Sequence, residues 1–247
     1  MIRGVGWPVD VAPRATTSLP LPMPVDIQQR LSDSPFVRAV TRVVFDEAGG
    51  HATTPDGFWD LAVLRRGGET VVLQTGLITR PVPLDFDAGD EYVCVSFEPG
   101  VYAPDRPGSD MVDRAVVLAS VAAGTFQFAG DALEIPTFEN AEGLVGRLAR
   151  RGHLVRDAIV AGVLAGEPVP AGERTIQRHF SLALGVSPKR LAGIRRADEA
   201  LRVLHSGATP SETAFALGYA DQPHLTRELR RFVGRTPGQI GRGAGPG

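Results

Sequence analysis

The segment Ile176-Gln177-Arg178-His179-Phe180 runs on to Gly185 and Ser187-Pro188, and 49 residues later it has a counterpart. Leu225-Thr226-Arg227-Glu228-Leu229 runs on to Gly234 and Thr236-Pro237. Apolar residues recur at 176/225, 180/229 and 184/233, arginine at 178/227, glycine at 185/234 and proline at 188/237. Ile176, Phe180 and Leu184 lie four apart and therefore form one stripe on a helix. Arg178 lies off that stripe and points outward. Gly185 and Gly234 suit the position just past a helix C-terminus, where φ turns positive. Ser187-Pro188 and Thr236-Pro237 each set a capping hydroxyl before a proline at the first helical position. Each copy reads as a helix, a glycine stop and a newly capped helix.

The second copy has a partner helix upstream. Thr209-Pro210-Ser211-Glu212 combines a Thr cap, Pro at the first position and Glu at the third, which is a capping box. The helix is expected to run through Ala214 and Leu217 to Gly218. The short turn Tyr219-Ala220-Asp221 then leads to the next helix. Short helix, tight turn and second helix with polar outer residues is the helix-turn-helix plan. Between the copies, Leu191, Ile194, Ala197, Leu201 and Leu204 make one apolar face of a linker helix. Such a link can hold two reading helices for successive major grooves, about 34 Å apart.

Charge follows the same division. From Glu173 onward there are 12 Lys and Arg against 6 Asp and Glu; the rest of the chain holds 14 against 22. A basic C-terminal third on an acidic body is expected where one part meets phosphate and the other does not.

The stretch Leu217-Gly218-Tyr219-Ala220-Asp221-Gln222-Pro223-His224-Leu225-Thr226-Arg227, with Gly234-Arg235-Thr236-Pro237, resembles the signature of the AraC/XylS family of bacterial regulators. Arg174-Thr175-Ile176-Gln177-Arg178-His179-Phe180 is similar to that family's first-copy segment. The resemblance covers roughly 155–240. It implies a DNA-binding transcription regulator whose N-terminal part senses a small molecule or mediates dimerisation. The front of the chain resembles more loosely the cupin-like domain that precedes this module in many regulators. The residues that carry this are Pro55-Asp56-Gly57 with Asp60-Leu61, and Phe97-Glu98-Pro99-Gly100. Asn140-Ala141-Glu142 with Leu144-Val145 resembles the helical connection of such proteins.

One departure concerns the first unit. Thirteen residues before Arg227 stands Ala214, inside the partner helix. Thirteen before Arg178 stands Ala165, directly ahead of Gly166-Glu167-Pro168-Val169-Pro170. Two prolines there forbid helix. The first unit's supporting helix is expected to end near Ala165, with a longer or differently shaped turn.

Candidate base-reading residues on the first recognition helix are Arg174, Gln177 and Arg178, which share a face at i, i+3, i+4. On the second they are Gln222, His224, Thr226 and Arg227. Arginine reads guanine and Gln reads adenine through paired hydrogen bonds. Candidate phosphate contacts are Lys189, Arg190, Arg230, Arg231 and Arg235.

Residues 38–128 read as short strands. Val40 to Phe45, Trp59 to Leu64, Thr70 to Leu73 and Tyr92 to Phe97 are rich in β-branched and aromatic residues and bounded by Gly or Asp clusters. Trp59, Tyr92 and Phe97 are candidates to line a ligand pocket. The alternative to a regulator is a cupin-like small-molecule-binding protein or enzyme whose helical part docks another protein. A cupin metal set usually needs more than one His, and only His51 of the five histidines falls in the β-rich region. No metal, cofactor or catalytic residue is assigned.

The expected fold class is α+β: a β-rich cupin-like barrel or sandwich followed by an all-α double helix-turn-helix domain. The expected boundaries are 1–24, an extended Pro-rich arm; 25–135, the sensing or dimerising domain; 136–155, a helical connection; 156–240, the DNA-binding domain; and 241–247, a Gly-rich disordered tail. Expected partners are promoter DNA, a small-molecule effector, RNA polymerase and a second copy of the chain. The single cysteine, Cys94, the lack of an apolar N-terminal core and the lack of a membrane-spanning run predict a cytoplasmic protein.

Overall fold

Strand and helix signals alternate sharply with Gly and Pro punctuation along this chain, and the elements follow that punctuation. The computed structural model describes residues 25–241, so the Pro-rich arm and all but the first residue of the expected tail lie outside the described residues. The β-rich part comprises β1 (Val25–Leu31), β2 (Val37–Phe45), β3 (Gly49–Thr53), β4 (Asp60–Arg66), β5 (Glu69–Thr75), β6 (Val82–Phe86), β7 (Glu91–Phe97) and β8 (Val101–Tyr102). A short helix α1 (Gly108–Met111), β9 (Ala115–Leu118), β10 (Ser120–Ala122), β11 (Thr125–Phe128) and β12 (Asp131–Glu134) complete it. The helical part comprises α2 (Ala141–Arg150), the two-residue β13 (Val155–Arg156), α3 (Ala158–Ala165), α4 (Glu173–Leu184), α5 (Pro188–His205), α6 (Pro210–Ala216), α7 (Gln222–Phe232) and α8 (Pro237–Gly241).

The fold is α+β. The main sheet has six strands in the order β1-β2-β7-β4-β5-β9, with antiparallel pairing throughout. Both of its faces are covered, which is why β4 and β7 read as continuous apolar runs. In β4, Leu61 and Val63 enter one core while Ala62 and Leu64 enter the other. In β7, Val93 and Val95 oppose Tyr92 and Cys94 in the same way. The first core is closed by Phe126, Phe128 and Leu133 of β11–β12 and by Leu144, Val145 and Leu148 of α2. The second is closed by Leu84 and Phe86 of β6, with Phe86 stacked on Phe45 at 3.9 Å between ring centroids. The expected barrel or sandwich is thus a stack of open sheets. The main sheet ends at β1 and β9, which do not meet, so it does not close into a barrel.

The helical part does not stand apart from this stack. The loop after β5 sends Leu77, 3% exposed, into a core with Phe180, Ala183 and Leu184 of α4, Leu191 and Ile194 of α5, and Phe232 of α7. Helix α1 lies directly on α4. A Cβ at Gly108 would sit 2.5 Å from the carbonyl oxygen of Ala183, so only hydrogen fits there. Beside it, the Asp113 carboxylate accepts from the Thr79 amide at 2.6 Å and the Thr79 hydroxyl at 2.7 Å. Arg190 of α5 donates to that same hydroxyl at 2.8 Å. Farther along α5, the Arg195 guanidinium lies over the Phe58 ring at 5.7 Å. A cavity of about 420 Å³ opens here between β1–β2 and α5. Asp198 lines it, and burial pushes that carboxyl up to about 6.

Two outcomes follow. Leu77→Ala removes a side chain from the shared core and is expected to cost about 2–5 kcal/mol of stability. Urea unfolding checks it, and a cost within error of zero would mean that the front part does not complete the helical core. The raised Asp198 carboxyl keeps its proton in the folded protein at pH values where the unfolded chain has lost it. Its contribution is therefore full at low pH and is lost as pH rises through about 6. Asp198→Asn should flatten this part of the stability profile between pH 4 and 7, and an unchanged slope would remove Asp198 as its source.

Candidate nucleic-acid interface

The second helix-turn-helix unit is assembled by its caps. The Thr209 hydroxyl accepts from the Glu212 amide at 3.2 Å, and Glu212 accepts from the Thr209 amide at 2.8 Å. Helix α6 ends at Ala216 with Leu217 as its C-cap, and Gly218 takes a φ of 67°. Asp221 caps α7 by accepting from the His224 amide at 2.6 Å. Leu225, Leu229 and Phe232 bury one face of α7. The opposite face presents Arg227, Arg230 and Arg231, and Gln222 is exposed at the helix N-terminus.

The first unit reaches a similar arrangement by another route. Helix α3 stops at Ala165 because Gly166 turns left-handed, with φ 72°. The connection 166–172 is longer than the 217–221 connection of the second unit. It folds back, so that a Cβ on Gly162 would lie 2.7 Å from the Val169 side chain. Asp157 anchors the unit. One carboxylate oxygen caps α3 by accepting from the Ile159 and Val160 amides at 3.0 Å. The other meets His179 Nδ1 of α4 at 2.6 Å. A short supporting helix is thereby pinned to its recognition helix by a side chain. On α4, Phe180, Ala183 and Leu184 are buried, while Arg174, Gln177 and Arg178 are exposed on the outer side.

The sequence-expected reading residues differ in how far they are engaged within the chain. Arg174, Arg178 and Arg227 hold no hydrogen bond or ion pair among the described residues, and neither do Lys189, Arg230 and Arg235. Arginine is a fixed cation with five donors, and here those donors are presented to solvent. Gln177 makes only a long contact, 3.3 Å to Glu173. Gln222 accepts from Ser211 at 3.3 Å. Thr226 donates to the Gln222 carbonyl at 3.0 Å. His224 packs edge-on against Tyr219 at 5.3 Å, and its Nδ1 accepts from the Ala220 amide at 3.4 Å. Its ring therefore braces the turn. Arg231 lies over Phe232 and is 4.0 Å from Glu228. Arg190 is turned toward Thr79 of the front part.

The three aromatic residues considered for a ligand pocket are not brought together. Trp59 and Phe97 stack at 3.9 Å inside the first core, and Trp59 Nε1 donates to the Val101 carbonyl at 2.6 Å. Tyr92 lies across the sheet in the second core, where burial pushes its hydroxyl well up. Among the described residues no three His, Cys, Asp or Glu side chains are grouped to hold a metal. No helix among them is long and apolar enough to cross a membrane.

Sequence reasoning missed two features. Phe215 of α6 is 90% exposed, whereas the helical pattern draws attention to its neighbours Ala214 and Leu217. Arg195 and Arg196 of α5 are half-buried, over Phe58 and Tyr219 respectively. A spacing argument reads both simply as outward charges on the linker.

Residues 169–243 match the family described as a helix-turn-helix domain. No curated protein matches the chain. Among solved structures, apo ToxT from Vibrio cholerae is similar at 9% identity and a TM-score of 0.39, covering 87% of this chain and 100% of that one. ToxT bound to (E)-4-(8-methylnaphthalen-1-yl)but-3-enoic acid is similar at 9% identity and a TM-score of 0.41, covering 89% and 99%. The assignment rests on the family match and on the paired geometry above. The C-terminal part of the chain, from residue 169 to 243, matches the helix-turn-helix domain family.

Proposed function

We propose that this DNA-binding transcription regulator places α4 and α7 in successive major grooves and reads bases chiefly through Arg178 and Arg227. The observation that carries the reading is the equivalence of these two arginines. They stand 49 residues apart at the same place in two repeated units, both exposed and both free of partners among the described residues. Arg174 and Gln177 extend the reading face of α4, and Gln222 and Thr226 that of α7. His224, braced on Tyr219, presents the edge of its ring beside them. Lys189, Arg230, Arg231 and Arg235 supply phosphate contacts that fix orientation. Arg190 is committed to Thr79 and joins them only if the front part moves.

We divide the chain into a sensing part at 25–135, a connection at 136–155 and a DNA-binding part at 156–240. A small-molecule effector and a homodimer are both part of this reading. The cavity between β1–β2 and α5 supports the first, because anything bound there touches the front sheet and the linker helix together. Its lining combines Arg38, Arg195 and Arg202 with Asp56, Asp198 and the Phe58 ring, which suits a polar ligand with a flat apolar part. The reading is a regulator and not an enzyme.

Operators selected from a random duplex library supply the test. Arg227→Ala should weaken binding to the selected site by about 1–3 kcal/mol and relax preference at one base position. Lys189→Ala should weaken all sequences alike and reduce the salt slope by about one. Fluorescence anisotropy across a salt series measures both. Wild-type affinity and preference in folded Arg227→Ala would contradict the assignment.

A further inference from the structure

We propose that the front part holds Arg190 back from DNA through a latch made of Thr79 and Asp113, and that opening the latch adds one phosphate contact beside α4. This names a regulation of the DNA contact proposed above and rests on that reading.

Arg190 is the wrong residue type for the place it holds in its helix. Helices α5, α6 and α8 each follow a Ser or Thr cap with Pro, and the third helical residue is where a capping box takes its acceptor. In Thr209-Pro210-Ser211-Glu212 that acceptor is Glu212, 2.8 Å from the Thr209 amide nitrogen. In Thr236-Pro237-Gly238-Gln239 it is Gln239, 2.8 Å from the Thr236 amide nitrogen. In Ser187-Pro188-Lys189-Arg190 the place is taken by an arginine, which has donors and no acceptor. Only half of the box forms there, with the Ser187 hydroxyl accepting from the Arg190 amide at 3.2 Å. Lys189 and Arg190 also put two cations in the first turn of α5, against the helix dipole. The partner that offsets this lies outside the helix.

In the folded chain the offsetting anion is Asp113. Its carboxylate accepts from the Thr79 hydroxyl at 2.7 Å, and that hydroxyl accepts from Arg190 Nη2 at 2.8 Å. A hydroxyl has one proton, and here it goes to the carboxylate, so the arginine is the donor on the other side. The backbone holds Asp113 in this position. Its φ is 57°, a left-handed conformation that side chains disfavour, and its amide donates to the Leu77 carbonyl at 3.0 Å. The carboxylate is thereby set against residue 79, whose amide donates to it at 2.6 Å. Thr79 is 5% exposed, whereas Arg190 is exposed. The latch is thus fixed on the front side and shallow on the helix side. When Arg190 leaves, the Thr79 hydroxyl keeps its bond to Asp113. Opening therefore breaks one hydrogen bond and strands no buried polar group. A DNA phosphate and the Asp113 carboxylate compete for one guanidinium, while Lys189 beside it stays available in either state.

The experiment uses the full chain, with anisotropy across a salt series on the selected operator and on a random duplex. Thr79→Val removes the hydroxyl at nearly constant volume, and Asp113→Asn removes the charge at a backbone conformation that Asn tolerates. Each should tighten binding by roughly fivefold. The gain should be the same on both duplexes, because a phosphate contact carries no sequence information. The salt slope should steepen by about one. Arg190→Gln supplies the acceptor that Gln239 supplies in α8, so α5 keeps its cap. Alone it should leave affinity and slope close to wild type; added to Thr79→Val it should cancel the gain. If Thr79→Val does not fold, Asp113→Asn with and without Arg190→Gln decides. A wild type that binds, with affinity and slope unchanged in the folded latch variants, would overturn the latch and leave the DNA-binding reading standing. So would a gain that survives the addition of Arg190→Gln, since the effect would then not pass through Arg190. A loss of about tenfold or more from Arg190→Gln alone would show that Arg190 already meets phosphate, and would overturn the latch too. Failure of the wild type and of every variant to bind either duplex would overturn the DNA-binding reading itself.

Discussion

The burial of one face of α5 is the contact on which the rest of the molecule depends. Its N-terminal half gives Leu191 and Ile194 to the core of the first helix-turn-helix unit. Its C-terminal half gives Ala200, Leu201 and Leu204 to the core of the second. A single helix of 18 residues is about 27 Å long and stiff over that length. The spacing of α4 and α7 is therefore set by covalent geometry and packing, not by a flexible linker. The same helix turns Arg190 and Arg195 toward the front part, so a change there reaches both units through one rigid element.

Much of the helical part was legible in the sequence because its punctuation is local. A Ser-Pro or Thr-Pro cap, a glycine stop and a four-residue apolar stripe each act within a few residues. Thr209, Gly185 and Asp221 do in the structure what their chemistry dictates. The break at Pro168 and Pro170 was legible for the same reason, and so was the early end of α3. Its compensation was not. Nothing near Asp157 in the sequence says that its carboxylate reaches His179, 22 residues away.

The contacts between the two parts were hidden because they are long-range and rest on shape. Leu77 and Gly108 look like ordinary loop residues until α4 is placed against them. Their surroundings come from segments far later in the chain, and no period or cap encodes that. The aromatic residues teach a different lesson. Strand side chains alternate, so Tyr92 and Phe97, at an odd separation on β7, fall on opposite faces. Applied strictly, the two-residue period separates Tyr92 from any pocket that Phe97 lines.

What the two units share is an outward arginine on a helix whose inner face is fixed. What they do not share is support: a capping box in one, a side-chain bridge in the other. The account requires that both nevertheless meet DNA, at a separation that α5 fixes. Hydroxyl-radical footprinting on a selected operator measures this most directly. The account predicts two protected segments on one face of the duplex, about one helical turn of 10–10.5 bp apart. It also predicts that Arg178→Ala erases one of them and Arg227→Ala the other. A single protected segment, lost with Arg227→Ala and untouched by Arg178→Ala, would contradict it.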